Sequence, residues 1–274
     1  MNPSPSLSPV PAERPAGARL LAITSGKGGV GKTLLSANLA AALARQGERV
    51  LVIDADLGLA NLDVVLNLQP RTTLHEVFTG EATLEEAVVD APGGFQVLLA
   101  GSGLIEYSRL TPPVREQLAQ LIDTVRPRYD RVLIDTGAGL SDIVLYAVSL
   151  ADEVLVIATP EPTALADAYA TVKVLALQQG RTRPMLVVNQ TQRRGEGQHV
   201  AVQFQLVLDR FVRRPDGETV TLQPLGDIPL DPTVRQAVQK RQLLVLTYPG
   251  SDAARAIDDI ATRLRNMAGL QSGR

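Results

Sequence analysis

The chain has 274 residues, 45% of them apolar, with 27 basic against 29 acidic side chains and a formal net charge of −2. That supplies a core for one large α/β domain, excludes wholesale disorder, and gives no ground for strong sequence-independent nucleic-acid binding. With no cysteine and two histidines, disulfides, thiolate zinc sites, iron–sulfur clusters and cysteine nucleophiles are excluded, and a histidine-rich metal site is disfavoured.

Residues 1–18 read as a flexible Pro-rich leader: five prolines fall in the first 15 residues, and the apolar segment of a signal peptide is missing. No apolar stretch reaches the roughly 18 residues a membrane-spanning helix needs. The expected compartment is the cytoplasm, with a transient station at the inner membrane or cell pole left open. A strand-length apolar run at 19–25 (RLLAITS) opens into a glycine-rich loop, and residues 32–46 place Leu35, Leu39, Ala42 and Leu43 at helical spacing before Gly47. Further strands are predicted at 49–53, 97–100, 131–134, 153–158 and 185–188, and helices at 113–125, 141–150, 163–178, 200–211, 231–239 and 252–267. Nearly continuous apolar strands alternating with helices predict a single-domain, doubly wound, mostly parallel sheet with helices on both faces, and ligands at the carboxyl ends of its strands. The expected domain spans residues 19–268, followed by a short polar tail at 269–274.

Gly26-Lys27-Gly28-Gly29-Val30-Gly31-Lys32-Thr33 satisfies G-x-x-x-x-G-K-[ST], between a predicted strand and a predicted helix. Glycines let backbone N–H groups point at phosphate oxygens without Cβ obstruction, and the helix N-terminus adds its positive dipole end. Lys32 is expected to reach the β- and γ-phosphates, and the hydroxyl of Thr33 to ligate Mg²⁺. The nucleotide-binding set is Gly26, Lys27, Gly28, Gly29, Val30, Gly31, Lys32, Thr33 and Leu34. Two of the four lysines in the chain lie in this loop, against 23 arginines elsewhere, which fits the use of a compact ammonium for phosphate.

Three acids follow apolar strands: Asp54 and Asp56 in VLVIDAD, and Asp135 in VLIDTGAG. In a parallel sheet all three reach the edge that carries the phosphate loop. Asp135 has the Walker B position, Asp54 and Asp135 join Thr33 as the magnesium set, and Asp56 is the candidate to orient or deprotonate the attacking water. The glycines of Gly137-Ala138-Gly139 can move in response to a γ-phosphate. Guanine-specific P-loop proteins carry N-K-x-D after a strand; here the segment reads Asn189-Gln190-Thr191-Gln192, so adenine is expected. Asn189 either bonds a base edge through its amide or is a plain loop asparagine; the sequence leaves both open.

The additional lysine, Lys27, gives the order K-G-G-V-G-K-T. In this the chain resembles the deviant Walker A ATPases of the MinD/ParA/nitrogenase-iron-protein superfamily, over residues 20–268. The resemblance implies that Lys27 crosses a dimer interface to the partner's nucleotide, so that ATP joins two monomers and hydrolysis, slow and partner-regulated, releases them. Lys27, Lys32 and Asp56 are then the catalytic residues. Segments 54–63 (DADLGLANLD), 73–80 (TLHEVFTG), 101–104 (GSGL), 135–141 (DTGAGLS), 159–173 (TPEPTALADAYATVK) and 226–231 (GDIPLD) resemble the FlhG/FleN family of flagellar-number regulators. That resemblance implies control of flagellar number and placement, with the SRP-type GTPase FlhF and a flagellar master transcription regulator as partners. Residues 1–18 carry no DQAxxLR-like stretch, the element family members use to activate FlhF.

Four other readings compete. A ParA-type DNA segregation ATPase would need a basic surface, for which Arg181, Arg183, Arg193 and Arg194, with Arg210, Arg213 and Arg214, are the candidates. A MinD-type division-site regulator would use a C-terminal membrane helix. Here Ile257, Ile260, Ala261, Leu264 and Met267 share a face, while Asp258 and Asp259 interrupt the polar side and Phe and Trp are lacking, which favours a core-packing helix. A small-molecule ligase or kinase lacks a reason for Lys27, and a module that binds ATP without cleaving it lacks a reason for the full acid set.

Overall fold

Strand-forming runs of Leu, Ile and Val carry two apolar rows each, so every central strand must be covered on both faces. The computed structural model describes residues 17–57, 61–101 and 110–271, the side chains of 268–271 excepted. Most of the expected leader, parts of segments 54–63 and 101–104, and residues 272–274 lie outside the described residues. The elements in chain order are β1 (Arg19–Ser25), α1 (Lys32–Arg45), β2 (Val50–Ala55), α2 (Leu62–Leu66), α3 (Leu74–Thr79), α4 (Leu84–Ala87), β3 (Val88–Ala91), β4 (Phe95–Leu98), α5 (Pro112–Val125), β5 (Arg131–Ala138), α6 (Asp142–Leu150), β6 (Glu153–Ala158), α7 (Pro162–Gln179), β7 (Met185–Thr191), α8 (Glu196–Phe211), β8 (Gln223–Pro229), α9 (Pro232–Gln239), α10 (Leu244–Thr247) and α11 (Asp252–Gln271).

The sheet has the order β3-β4-β2-β5-β1-β6-β7-β8. All its pairings are parallel except the β3–β4 hairpin at one edge. Leu20, Ala22, Leu51 and Ile53 face a core built with α5, α6, α7 and α8. Leu21, Ile23, Val50 and Val52 face a second core built with α1, α10 and α11. The doubly wound arrangement expected from the sequence is therefore present, with β1 central and the chain crossing it from β2 and β5 on one side to β6 on the other.

Differences from the predicted elements have local causes. The strand expected at 97–100 ends at Leu98, because Leu99 leaves the ladder and its carbonyl accepts the Leu74 N–H of α3 at 2.8 Å. Beside it, β3 is a four-residue edge strand, and β8 contains Pro224, Gly226 and Pro229, so neither presents an apolar run. Both are edge strands, where proline and short length are tolerated. Gly17 and Ala18, assigned to the leader, already belong to the fold. Ala18 is fully buried, its N–H donates to the Arg126 carbonyl at 2.7 Å, and a Cβ on Gly17 would come within 2.6 Å of that oxygen.

The C-terminal helix α11 packs against α1 and β8. Its apolar face is buried, with Ile257, Ile260, Ala261 and Leu264 all inside the second core, as the sequence reading favoured. Among the described residues no helix is long and apolar enough to cross a membrane. Ile260→Ala is expected to cost about 2–4 kcal/mol, seen as a lower urea midpoint at unchanged slope. Arg265→Ala, on the exposed face, is expected to stay within about 0.5 kcal/mol of the parent chain. An unchanged midpoint for Ile260→Ala would show α11 to be peripheral.

Candidate active site

The loop between β1 and α1 is held from two directions. On one side Gly26 lies against α7: a Cβ there would come within 2.2 Å of the Asp167 carbonyl oxygen. On the other, Asn189 at the end of β7 donates through its Nδ2 to the Val30 carbonyl at 2.8 Å, and a Cβ on Gly31 would strike that Nδ2 at 2.5 Å. Gly31, at φ 98°, is the N-cap of α1, a backbone conformation that favours glycine. Above Gly28 and Gly29 the space is open, with nothing within 4 Å of an added Cβ. The glycines thus divide by function: Gly26 and Gly31 permit close packing, while Gly28 and Gly29 face free volume.

That volume is a cleft of about 660 Å³, lined by Gly28, Gly29, Gly31, Lys32, Thr33 and Leu34 of the loop. Opposite stand Asp56, Leu57 and Asn61 after β2, Gly137 and Ala138 at the end of β5, and Ser141 after it. Lys32 is buried; desolvation lowers its pKa, opposed by the charges of Asp135 and Asp56.

Beneath the loop, Asp54 and Asp135 are register partners on β2 and β5 and therefore present their carboxyls to the same face of the sheet. Both are 1% exposed. Burial pushes the Asp135 carboxyl up to about 6, against hydrogen bonds from Thr33 and Ser36 and the charge of Lys32, which lower it. Burial, and next the neighbouring Asp135, raise Asp54 well above the usual carboxylate range. Asp54 accepts the Asp56 N–H at 3.1 Å and a backbone hydrogen bond from Leu62, while its Oδ2 is buried without a hydrogen-bond partner. It braces both ends of the segment that carries Asp56, one layer below the cleft wall. Among the described residues no group of three or more His, Cys, Asp or Glu side chains is placed to hold a metal ion.

The remaining predicted residues lie at the margin. Asn189 has both amide atoms engaged, Nδ2 on Val30 and Oδ1 receiving the Gln190 N–H at 2.9 Å, so in this geometry it clamps the phosphate loop. Lys27 does not line the cleft; its Nζ lies 3.0 Å from Glu161 Oε2 and 3.0 Å from Thr163 Oγ1, at the head of α7. Ser36, which donates to Asp135 Oδ1 at 2.9 Å, was not singled out from sequence. It stands one turn after Lys32, where a serine commonly bonds its own helix carbonyl, as Ser36 also does with Lys32 at 3.0 Å. Asn61 and Ser141 were missed as well, because loop residues of these types carry no distinguishing spacing.

Residues 18–188 match the AAA domain family. The chain is 39% identical to the antiactivator FleN of Pseudomonas aeruginosa, over 90% of this chain and 86% of that protein. The chain belongs to the MinD/ParA-type P-loop ATPases, with FleN among its relatives. The flagellum site-determining protein YlxH of Helicobacter pylori is 31% identical, covering 93% of this chain and 84% of the relative. The septum site-determining protein MinD of Pyrococcus horikoshii, solved in complex with Mg-ADP, superposes with a TM-score of 0.74 at 28% identity, over 92% of this chain and 98% of that one. The α/β P-loop fold expected from sequence is thus the fold of the family.

The buried carboxyl of Asp135 sets a pH dependence. Its native pKa of about 6 lies above the ordinary 3.8, so the folded chain holds a proton that the unfolded chain releases. The Asp135 contribution to the stability of the nucleotide-free protein should rise as pH falls from about 6 to about 4, the ionisation cost, of order 3 kcal/mol, being complete above about pH 7 and absent below about pH 4. Asp135→Asn is expected to melt higher than the parent at pH 8 without nucleotide and to show a flatter stability–pH curve. Equal melting at pH 8 would mean that the ionised carboxylate is fully compensated.

Proposed function

We propose that the chain is an ATP-dependent dimerising switch that regulates flagellar number or placement, a FleN-type ATPase. The observation that carries the flagellar part is the 39% identity to FleN over nine-tenths of the chain, reinforced by the similarity to YlxH. The cofactors of this reading are ATP and Mg²⁺. The open volume over Gly28 and Gly29, the desolvated Lys32 and the buried carboxyl cluster fit a polyphosphate with a divalent cation. Backbone N–H groups of residues 28–33 and the Lys32 ammonium would hold the phosphates, with Leu34 on the cleft wall. Thr33 and Asp135 would hold Mg²⁺, with Asp54 behind them, and that cation supplies charge neutralisation at the phosphates. Asp56, braced by Asp54 and beside Gly137, is placed to orient or deprotonate a water.

The dimer follows from Lys27. It is the lysine of the loop that leaves its own cleft, and its ammonium, held at the surface by Glu161 and Thr163, would meet the nucleotide of a second copy across the interface. Turnover is then slow until two copies assemble the site, and partner proteins can tune that step. FlhF and a flagellar master transcription regulator are the partners this reading brings.

A DNA-segregating role has less support. Arg181 donates to the carbonyls of Val148, Ser149, Ala151 and Asp152, and Arg214 pairs with Asp216 and the Ala176 carbonyl. These arginines of the two candidate clusters serve the fold.

Asp56→Ala is expected to bind ATP, lose at least tenfold in turnover, and accumulate dimer by light scattering in Mg-ATP; a monomer at saturation would contradict the role. Lys27→Ala is expected to keep nucleotide affinity within a few-fold and to lose ATP-dependent dimers, and normal dimers would remove Lys27 from the interface. Cells lacking the gene are expected to carry supernumerary or misplaced flagella by electron microscopy. Unchanged flagella, with minicells or lost DNA, would move the same ATPase to division or segregation.

A further inference from the structure

Glu161 and Thr163 treat Lys27 in a way the sequence does not announce. The three residues come together from positions 134 and 136 apart in the chain. Glu161 is the N-cap of α7, yet its side chain makes no capping hydrogen bond; it is turned instead to the Lys27 ammonium. A lysine near a helix N-terminus meets the positive end of the helix dipole, so without the carboxylate this position would repel it. Lys27 and Glu161 remain 39% and 65% exposed in their side chains, which makes the contact weak and reversible. Gly26, packed on the Asp167 carbonyl of the same helix, fixes the backbone from which Lys27 departs.

We propose that Glu161 and Thr163 are positioning residues that park Lys27 against its own α7, so that a dimer forms only by exchanging this cis contact for the partner's nucleotide. This rests on the reading of Lys27 as the bridging lysine. The phosphates of a partner's nucleotide carry more negative charge than one carboxylate and win the ammonium when bound; with no nucleotide across the interface, Lys27 stays parked. The park raises the threshold for assembly without touching the phosphate cleft. An exposed pair of this kind corresponds to about a threefold bias, and two are released per dimer, so removing it should tighten the dimer about tenfold.

The test uses the full chain with two readouts. In nucleotide-free protein, modification of Lys27 by an amine-reactive reagent, measured by mass spectrometry against Lys173, should rise about threefold in Glu161→Gln and in Thr163→Val. With a non-hydrolysable ATP analogue, the protein concentration at half-dimer should fall about tenfold in Glu161→Gln, with analogue affinity of the dilute monomer unchanged, and Glu161→Asp should restore the parent values. Lys27 labelling equal in parent and Glu161→Gln would overturn the parking contact. Increased labelling with an unchanged or higher half-dimer concentration, while Lys27→Ala abolishes dimers, would overturn its role in assembly and leave the bridging lysine standing. Normal dimers of Lys27→Ala would instead remove the bridging reading itself, and the assembly role with it.

Discussion

Two carboxyl groups set side by side on adjacent strands, both buried, are the constraint around which the rest of this structure is arranged. Asp54 and Asp135 share a register position, and each is raised by burial. Asp54 is raised further by the Asp135 charge. A pair of this kind is costly to ionise in a low-dielectric interior unless cations and hydrogen-bond donors surround it. The donors are present: Thr33 and Ser36 on Asp135, the backbone of Asp56 and Leu62 on Asp54. The nearby cation that acts on Asp135 is Lys32, which is itself desolvated. On the proposed function, a divalent cation at Asp135 would relieve this cluster, and its binding would be coupled to the stability of the strand ends.

That coupling is useful only if the surrounding backbone does not relax to relieve the charge by itself. The phosphate loop is pinned at Gly26 by the α7 backbone and at Val30 and Gly31 by Asn189. After β5, the Gly139 N–H donates to the Ser25 carbonyl at 2.9 Å, and the Thr136 hydroxyl donates to the Ile23 carbonyl at 3.1 Å. The loop is thus held by α7 and β7, and the β5 wall of the cleft is tied to β1, the central strand. Such preorganisation concentrates the electrostatic strain where the chemistry is, because groups already fixed in place need no reorganisation when charge develops.

Much of this was legible in the residues, and what was not has a physical reason. The fold announces itself because central parallel strands must be apolar on both faces, so β1, β5 and β6 stand out as unbroken runs. Elements at the sheet edges escape: β8, with two prolines and a glycine, has no apolar pattern to find, and α2, α3, α4 and α10 are too short for helical periodicity. In the site, the phosphate loop and the three acids are visible because their chemistry demands fixed residue types next to strands. Asn189 is visible as a residue but ambiguous in role, since an amide serves a base edge or a backbone carbonyl equally well; the fold resolves which carbonyl it holds. Ser36 and Glu161 are invisible for the opposite reason. Their function depends on partners 99 and 134 positions away, and nothing in their local sequence differs from an ordinary helix serine or an acidic helix start.

The loop's two lysines show how a short segment can separate two tasks. Lys32 is buried, next to acids that hold its charge, and its position is dictated by the cleft of its own chain. Lys27, five positions earlier, is on the far side of the loop, held by an exposed carboxylate and a hydroxyl. The backbone between them turns through Gly29 and Gly31, both at positive φ, and the two ammonium groups lie in different surroundings, Lys27 on Glu161 and Thr163 and Lys32 near Asp135 and Asp56. On the proposed function, nucleotide affinity and dimer assembly would then be adjusted independently, the first by the environment of Lys32 and the second by that of Lys27. A protein that acts as a switch benefits from that separation, because its threshold for assembly can change without altering how tightly each monomer holds its nucleotide.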